Sequence, residues 1–221
     1  MCQGSIHITY ILIYSITYIN IHIFYINIQG STTFIQTYSS LVKAFRDGTF
    51  QFLPTFKHGD TVVNESYAIC LYLESHFKSQ GNQLIPDGPE EQALMFQRMF
   101  EGLTFYEKLG SVIYYDWYVP EGERHDSALK RNKDGLVVEL GLWEGYLSKG
   151  SGSFLAGKSF SLADVVVFPT VAFLFRFGLS AGRYPKLAEY YALLKDRPSI
   201  KASWPPHWLE GPEEELLLKD I

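Results

Sequence analysis

The sequence predicts an α/β plus all-α architecture, a small hairpin-and-helix portion followed by a larger portion made of helices. Three observations carry this. Two short strand-like runs flank a glycine turn and lead directly into a helix between Leu53 and Phe77. From Glu90 onward, the regular apolar spacing has a helical period. The charge is also divided: Met1 to Val42 contains no Asp, Glu, Lys or Arg, and the 19 basic and 24 acidic residues all fall from Lys43 onward.

A chain of 221 residues is long enough for one large domain or two small ones with a proper core. A formal net charge of −5 with scattered basic residues excludes the basic stripe that nucleic acid or an anionic membrane surface requires. The two cysteines, Cys2 and Cys70, share no metal or redox spacing. Two cysteines in a chain of this length make no disulfide framework, which points to a reducing compartment.

Residues 1–44 form an atypical low-complexity segment. Residues 6–28 are built almost wholly from Ile, Tyr, Thr, Asn, His and Ser, and Tyr18-Ile19-Asn20-Ile21 recurs as Tyr25-Ile26-Asn27-Ile28. Ile19, Ile21 and Ile23 alternate with Asn20 and His22, a strand-like period. A signal peptide is not expected, because a basic start and a small-residue cleavage site are both missing. Three readings stay open: a membrane span, an edge strand or tail, and a segment foreign to the fold. The span is long enough, but Asn20, His22 and Asn27 are costly in lipid. The repeated composition resembles translated non-coding sequence, which predicts that the intact gene product carries a different N-terminus.

Leu53-Pro54-Thr55-Phe56-Lys57 reads as a strand and Thr61-Val62-Val63 as its antiparallel partner. His58-Gly59-Asp60 is the turn between them, with Gly59 free to take positive φ. Asn64-Glu65-Ser66 then opens a helix whose apolar positions run from Ala68 to Phe77. Cys70 falls on its apolar face and is expected in the core. Residues 86–89 are a Pro/Gly linker. The first long helix is predicted from Glu90 to about Trp117, with Leu94, Met95, Met99, Leu103 and Tyr106 on its stripe. The second runs from about Glu123 to Leu147. Ser161-Leu162-Ala163-Asp164 is a capping-box pattern, in which Ser161 and Asp164 satisfy each other's amides at the start of a buried helix reaching about Phe177. A shorter helix spans about Tyr184 to Lys195, and Trp204-Pro205-Pro206-His207-Trp208 reads as an extended, ring-rich tail.

This order, with its local motifs, resembles the cytosolic glutathione S-transferases. The motifs are Leu53-Pro54-Thr55-Phe56, Asn64-Glu65-Ser66 with Ala68-Ile69, and Phe154-Leu155-Ala156-Gly157-Lys158 before Ser161-Leu162-Ala163-Asp164. Tyr184-Pro185 and Arg197-Pro198-Ser199 are further landmarks. The segments Trp117-Tyr118-Val119-Pro120-Glu121-Gly122-Glu123-Arg124 and Lys201 to Trp208 look like the rho class, a relative of theta. The resemblance implies a partial thioredoxin-like N-terminal domain over 45–85 and an all-helical C-terminal domain over 90–221. It implies a cytoplasmic, homodimeric detoxification enzyme with glutathione as co-substrate, a hydrophobic electrophile as second substrate, and no metal, further cofactor, nucleic acid or membrane.

The same resemblance assigns the candidate site. Pro54 corresponds to the family's cis proline, and the backbone of Leu53 would pair with the cysteinyl part of glutathione like an added strand. Ser66, at a helix N-terminus where free amides favour a carboxylate, would bind the γ-glutamyl carboxylate, and Glu65 its ammonium. Arg98, Met99, Phe105 and Tyr106 lie on the helix that lines the electrophile pocket in the family. Read from the residues alone, Glu65-Ser66 is also an ordinary helix cap, Pro54 an ordinary trans proline, the Met and aromatic stripe ordinary core, and His58 a turn residue.

The family reaction needs a Tyr or Ser hydroxyl to favour the glutathione thiolate. Tyr10, Tyr14, Ser15 and Ser31 are hydroxyls in the corresponding region, but none precedes an amphipathic helix, and none is assigned. The glutamine that often precedes Leu-Pro is replaced by Phe52, with Gln51 one place away. Little conjugating activity toward a standard aromatic electrophile is therefore expected. A non-catalytic glutathione-binding or scaffolding protein is the alternative.

Overall fold

The computed structural model describes residues 55–78, 81–150, 152–204, 208 and 216–221. The chain divides into two compact units, Met1–Ile85 with Pro198–Pro205 and Pro86–Arg197 with Pro206–Ile221. Leu53, Pro54 and the low-complexity segment lie outside the described residues.

In the first unit, strands β1 (Thr55–His58) and β2 (Thr61–Asn64) form an antiparallel hairpin, with Phe56 opposite Val63 and His58 opposite Thr61. Gly59 takes φ 58° in the connecting turn, a backbone state that a side chain would strain. Alternation sends Phe56 inward, at 1% exposure, and leaves Val62 outward at 47%. Helix α1 (Ser66–His76) follows and packs Tyr72 against Phe56, with ring centroids 5.9 Å apart. Ile69, Cys70, Leu73 and Phe77 are buried. The buried Glu74 carboxylate accepts the Leu84 N–H at 2.9 Å, which ties the chain after α1 back onto the helix.

The second unit is helical. Helix α2 (Pro89–Ile113) starts on Pro89, where a missing N–H costs nothing. Short α3 (Tyr115–Tyr118) and one turn of 3-10 helix (Glu121–Glu123) lead to α4 (Asp126–Lys149). Then come α5 (Leu162–Arg176) and α6 (Pro185–Leu194). The single helix expected to Trp117 is broken at Tyr114, whose ψ of 14° departs from helical geometry. Leu103 is 52% exposed, so the buried stripe of α2 runs through Met95, Met99, Gly102, Phe105 and Leu109. One residue accounts for the difference: at 3.6 residues per turn, 99, 102, 105 and 109 share a face, and 103 lies beside it.

Helix α5 is the core element, with Leu162, Ala163, Val167, Val171 and Leu174 fully sequestered. Phe105 of α2 stacks on Trp143 of α4 at 4.9 Å and 15°, joining those two helices by an aromatic pair. In the loop before α5, a Cβ on Gly152 would lie 2.1 Å from the Gly157 carbonyl oxygen, so only glycine allows this close approach. After α6 the chain takes a helical turn, α7 (Pro198–Lys201), which groups with the first unit, and most of the expected extended tail from Trp204 to Trp208 lies outside the described residues.

Candidate functional site

The N-terminus of α1 differs from an ordinary capped helix start. Glu65 occupies the N-cap with φ 70° and ψ 124°, and no side-chain hydrogen bond caps the helix. It is the only described non-glycine residue at positive φ. Such a conformation costs on the order of 1–3 kcal/mol and persists where surrounding structure imposes it, commonly at ligand sites. The Ile69 N–H bonds the Glu65 carbonyl at 2.9 Å. The amides of Ser66, Tyr67 and Ala68 therefore precede the first bonded turn, and they sit at the positive end of the helix dipole. The first turn contains no acidic residue to neutralise that end. This geometry suits an incoming carboxylate.

The local sequence explains how the site is held. The hairpin ends at Asn64, immediately before the strained Glu65, so β2 feeds α1 with no slack. Burial of Ile69, Cys70, Leu73 and Phe77 then fixes the helix against the hairpin. Cys70, one turn inside the helix, has its thiol pushed up to about 12 by burial first and the Glu74 carboxylate second. It therefore offers no thiolate near neutral pH.

The contrast with Ser161 shows what a purely structural start looks like. The Ser161 N–H and hydroxyl both donate to Asp164 Oδ2, at 2.8 and 3.0 Å. Asp164 Oδ1 accepts from the Leu155 N–H and the Tyr190 hydroxyl, each at 3.0 Å. Every oxygen is used inside the protein and the group is fully buried, so the capping box belongs to the scaffold.

Of the residues expected at an electrophile pocket, Met99 and Phe105 have no exposed surface and pack in the helical core. Tyr106 is half-buried. Its hydroxyl is hydrogen-bonded with that of Tyr114, and the Tyr114 phenol is pushed upward by burial first and then by Tyr106. Arg98 is engaged elsewhere: its guanidinium lies 3.5 Å from the Tyr146 ring centroid, and Nη1 meets Glu101 Oε2 at 2.6 Å.

Sequence reasoning missed three placements. His58 is no turn residue, since it ends β1 with Nδ1 2.8 Å from the Tyr72 hydroxyl. The i to i+3 spacing of Arg98 and Glu101 was available as a signal, whereas Tyr146 comes from another helix. Glu144 of α4 caps α6 by accepting the Lys186 and Leu187 amides at 2.7 and 3.0 Å, a contact across 42 residues that no local pattern encodes. Among the described residues, no group of three or more His, Cys, Asp or Glu is placed to hold a metal. No helix among them is long and apolar enough to cross a membrane.

Residues 105–204 match the family described as glutathione S-transferase, C-terminal domain. Glutathione S-transferase A of Pleuronectes platessa is 62% identical over 198 residues, covering 85% of this chain and 88% of that protein. A share of 85% is longer than residues 53–221, so the match extends upstream of Leu53. Glutathione S-transferase 6.7 of Dicentrarchus labrax is 49% identical over 74 residues, 34% of this chain and 93% of that one. A crystal structure of a glutathione S-transferase from the Antarctic clam Laternula elliptica superposes with a TM-score of 0.69 at 37% identity, covering 81% of this chain and 79% of that one. The fold is that of the glutathione S-transferases, a helical C-terminal domain with thioredoxin-like neighbours. This chain belongs to the glutathione S-transferase family.

Proposed function

We propose that this chain conjugates the thiolate of glutathione to hydrophobic electrophiles, with Glu65 and Ser66 receiving the γ-glutamyl end and Leu53-Pro54 pairing with the cysteinyl backbone. The single observation that carries the site assignment is the start of α1, with Glu65 held at φ 70° immediately before Ser66. A γ-glutamyl group has a carboxylate and an ammonium on one carbon. The backbone and hydroxyl of Ser66 at the helix N-terminus meet the first, and the Glu65 carboxylate meets the second.

Tyr106, half-buried and paired with Tyr114, retains surface for an electrophile, whereas Met99 and Phe105 do not. We place the chain in a rho-like group related to theta, on the strength of the segments at Trp117–Arg124 and Lys201–Trp208. A cytoplasmic homodimer is the corresponding assembly and location.

Two measurements test this. The full-length protein should be retained on immobilised glutathione and eluted by free glutathione. It should also turn over an activated aryl halide with glutathione; the 62% identity to a glutathione S-transferase over 85% of the chain supports this over the weak activity expected from the sequence alone. Retention without turnover would support the scaffolding alternative, and failure of both would refute the site.

A further inference from the structure

We propose that His58 and His76 form a two-imidazole site for a borderline transition-metal ion, Cu2+, Ni2+ or Zn2+, which clasps β1 to α1. The two residues are the last of their elements, one ending the first strand of the hairpin and the other ending the helix. Packing the hairpin on the helix brings their ring centroids to 4.8 Å. Imidazole nitrogens bind these metals at about 2.0–2.1 Å, so two rings sharing one ion at a cis angle have centroids roughly 4.5–5.5 Å apart. The observed spacing falls in that window.

A second observation concerns orientation. His58 Nδ1 lies 2.8 Å from the Tyr72 hydroxyl. In the tautomer whose Nδ1–H donates to that oxygen, the Nε2 lone pair is left for a metal, as an outer-shell partner does for a ligating histidine. His76 is held in turn, stacked on Tyr72 at 5.4 Å and edge-on to Phe77 at 4.6 Å. Phe77 also lies 5.5 Å from His58. Both imidazoles are thus restrained by rings, and less ordering is left for the ion to impose. His58 is half-buried and His76 exposed, so the ion has a path from solvent and keeps water in its remaining positions.

Imidazole suits these ions, and Cu2+ binds most strongly among them. The ion bridges two elements that meet only in the folded unit, so occupancy stabilises that fold by mass action. The clasp lies on the helix whose other end carries Glu65 and Ser66, yet it requires nothing of glutathione.

The test uses the untagged full-length chain, titrated with Cu2+ by calorimetry and followed by electron paramagnetic resonance in frozen solution. One ion per chain should bind, with coupling to two imidazole nitrogens and a raised thermal midpoint. His76→Ala, a change at an exposed side chain, should weaken binding by at least ~10-fold and abolish the two-nitrogen signal. His58→Gln should do the same while retaining a donor toward Tyr72. His125→Ala, outside the pair, should leave binding unchanged. A one-nitrogen signal, undiminished affinity in His76→Ala, or no saturable binding of one equivalent would overturn the site.

Discussion

The Tyr190 hydroxyl donates to Asp164 Oδ1 at 3.0 Å, joining α6 to the first turn of α5. Both groups are buried, and the same carboxylate takes the Leu155 and Ser161 amides. Tyr190→Phe removes one donor and leaves an oxygen that still has a partner, so a loss of about 1 kcal/mol is expected. Asp164→Ala strands two amides and two hydroxyls and should cost several times more, about 3–5 kcal/mol. Urea unfolding measures both, and equal effects would show that Asp164 is not the hub.

Asp164 also sets a pH dependence. Burial raises its pKa and outweighs the lowering effect of its hydrogen bonds to Leu155, Ser161 and Tyr190. The folded carboxyl therefore holds its proton more tightly than the unfolded one. Its contribution is fully present below the unfolded pKa and is lost as pH rises through the folded pKa. Asp164→Asn cannot ionise and lacks this component. The stability advantage of the native protein over Asp164→Asn should shrink as pH rises above the ordinary aspartate range. An advantage that grows with pH would contradict the assignment.

Cys70 should be chemically silent. A thiol held at about 12 by burial and by Glu74 is, at pH 8, ionised in only about one molecule in 10,000. Iodoacetamide at that pH should leave Cys70 unmodified in the folded protein and alkylate it fully in denaturant, as read by peptide mass mapping. Rapid labelling of native protein would mean that α1 opens readily.

The legible parts of the fold and site were those set by near neighbours. Gly59 marked the turn because a two-residue reversal needs positive φ, and Ser161 with Asp164 marked a helix start because both partners lie within one turn. Glu65-Ser66 was visible as a helix start, but the strain at Glu65 was not, since positive φ at a glutamate comes from how β2 feeds α1. The roles of His58 and Glu144 were hidden for the same reason, because Tyr72 and Lys186 reach them only through tertiary packing. Met99 and Phe105 fit either a pocket or a core by spacing, and only their complete burial places them in the core.

Ser66 should matter for ligand and little for folding. It is the first residue of α1, and the N-cap position belongs to Glu65. A hydroxyl bond to a carboxylate is worth about 1.5–3 kcal/mol, so Ser66→Ala should raise the glutathione Kd by roughly 10- to 150-fold. The thermal midpoint without ligand should move little. Equal affinity in the two proteins would remove Ser66 from the site.

Glu65 should show the opposite pattern, stability traded against binding. At φ 70° a side chain is strained, and glycine relieves that strain at the cost of a more flexible unfolded chain. Glu65→Gly should therefore be as stable as the native protein or more stable by up to about 1 kcal/mol. The same change removes the carboxylate placed to meet the γ-glutamyl ammonium, so glutathione affinity should fall. Glu65→Gln separates the two effects, because it keeps the strain and removes only the charge. Unfolding and glutathione titration of the three proteins decide the matter. If Glu65→Gly is destabilised, the positive φ at Glu65 is not strain; if it binds glutathione as tightly as the native protein, the glutamate is a helix-start residue with no part in the ligand site.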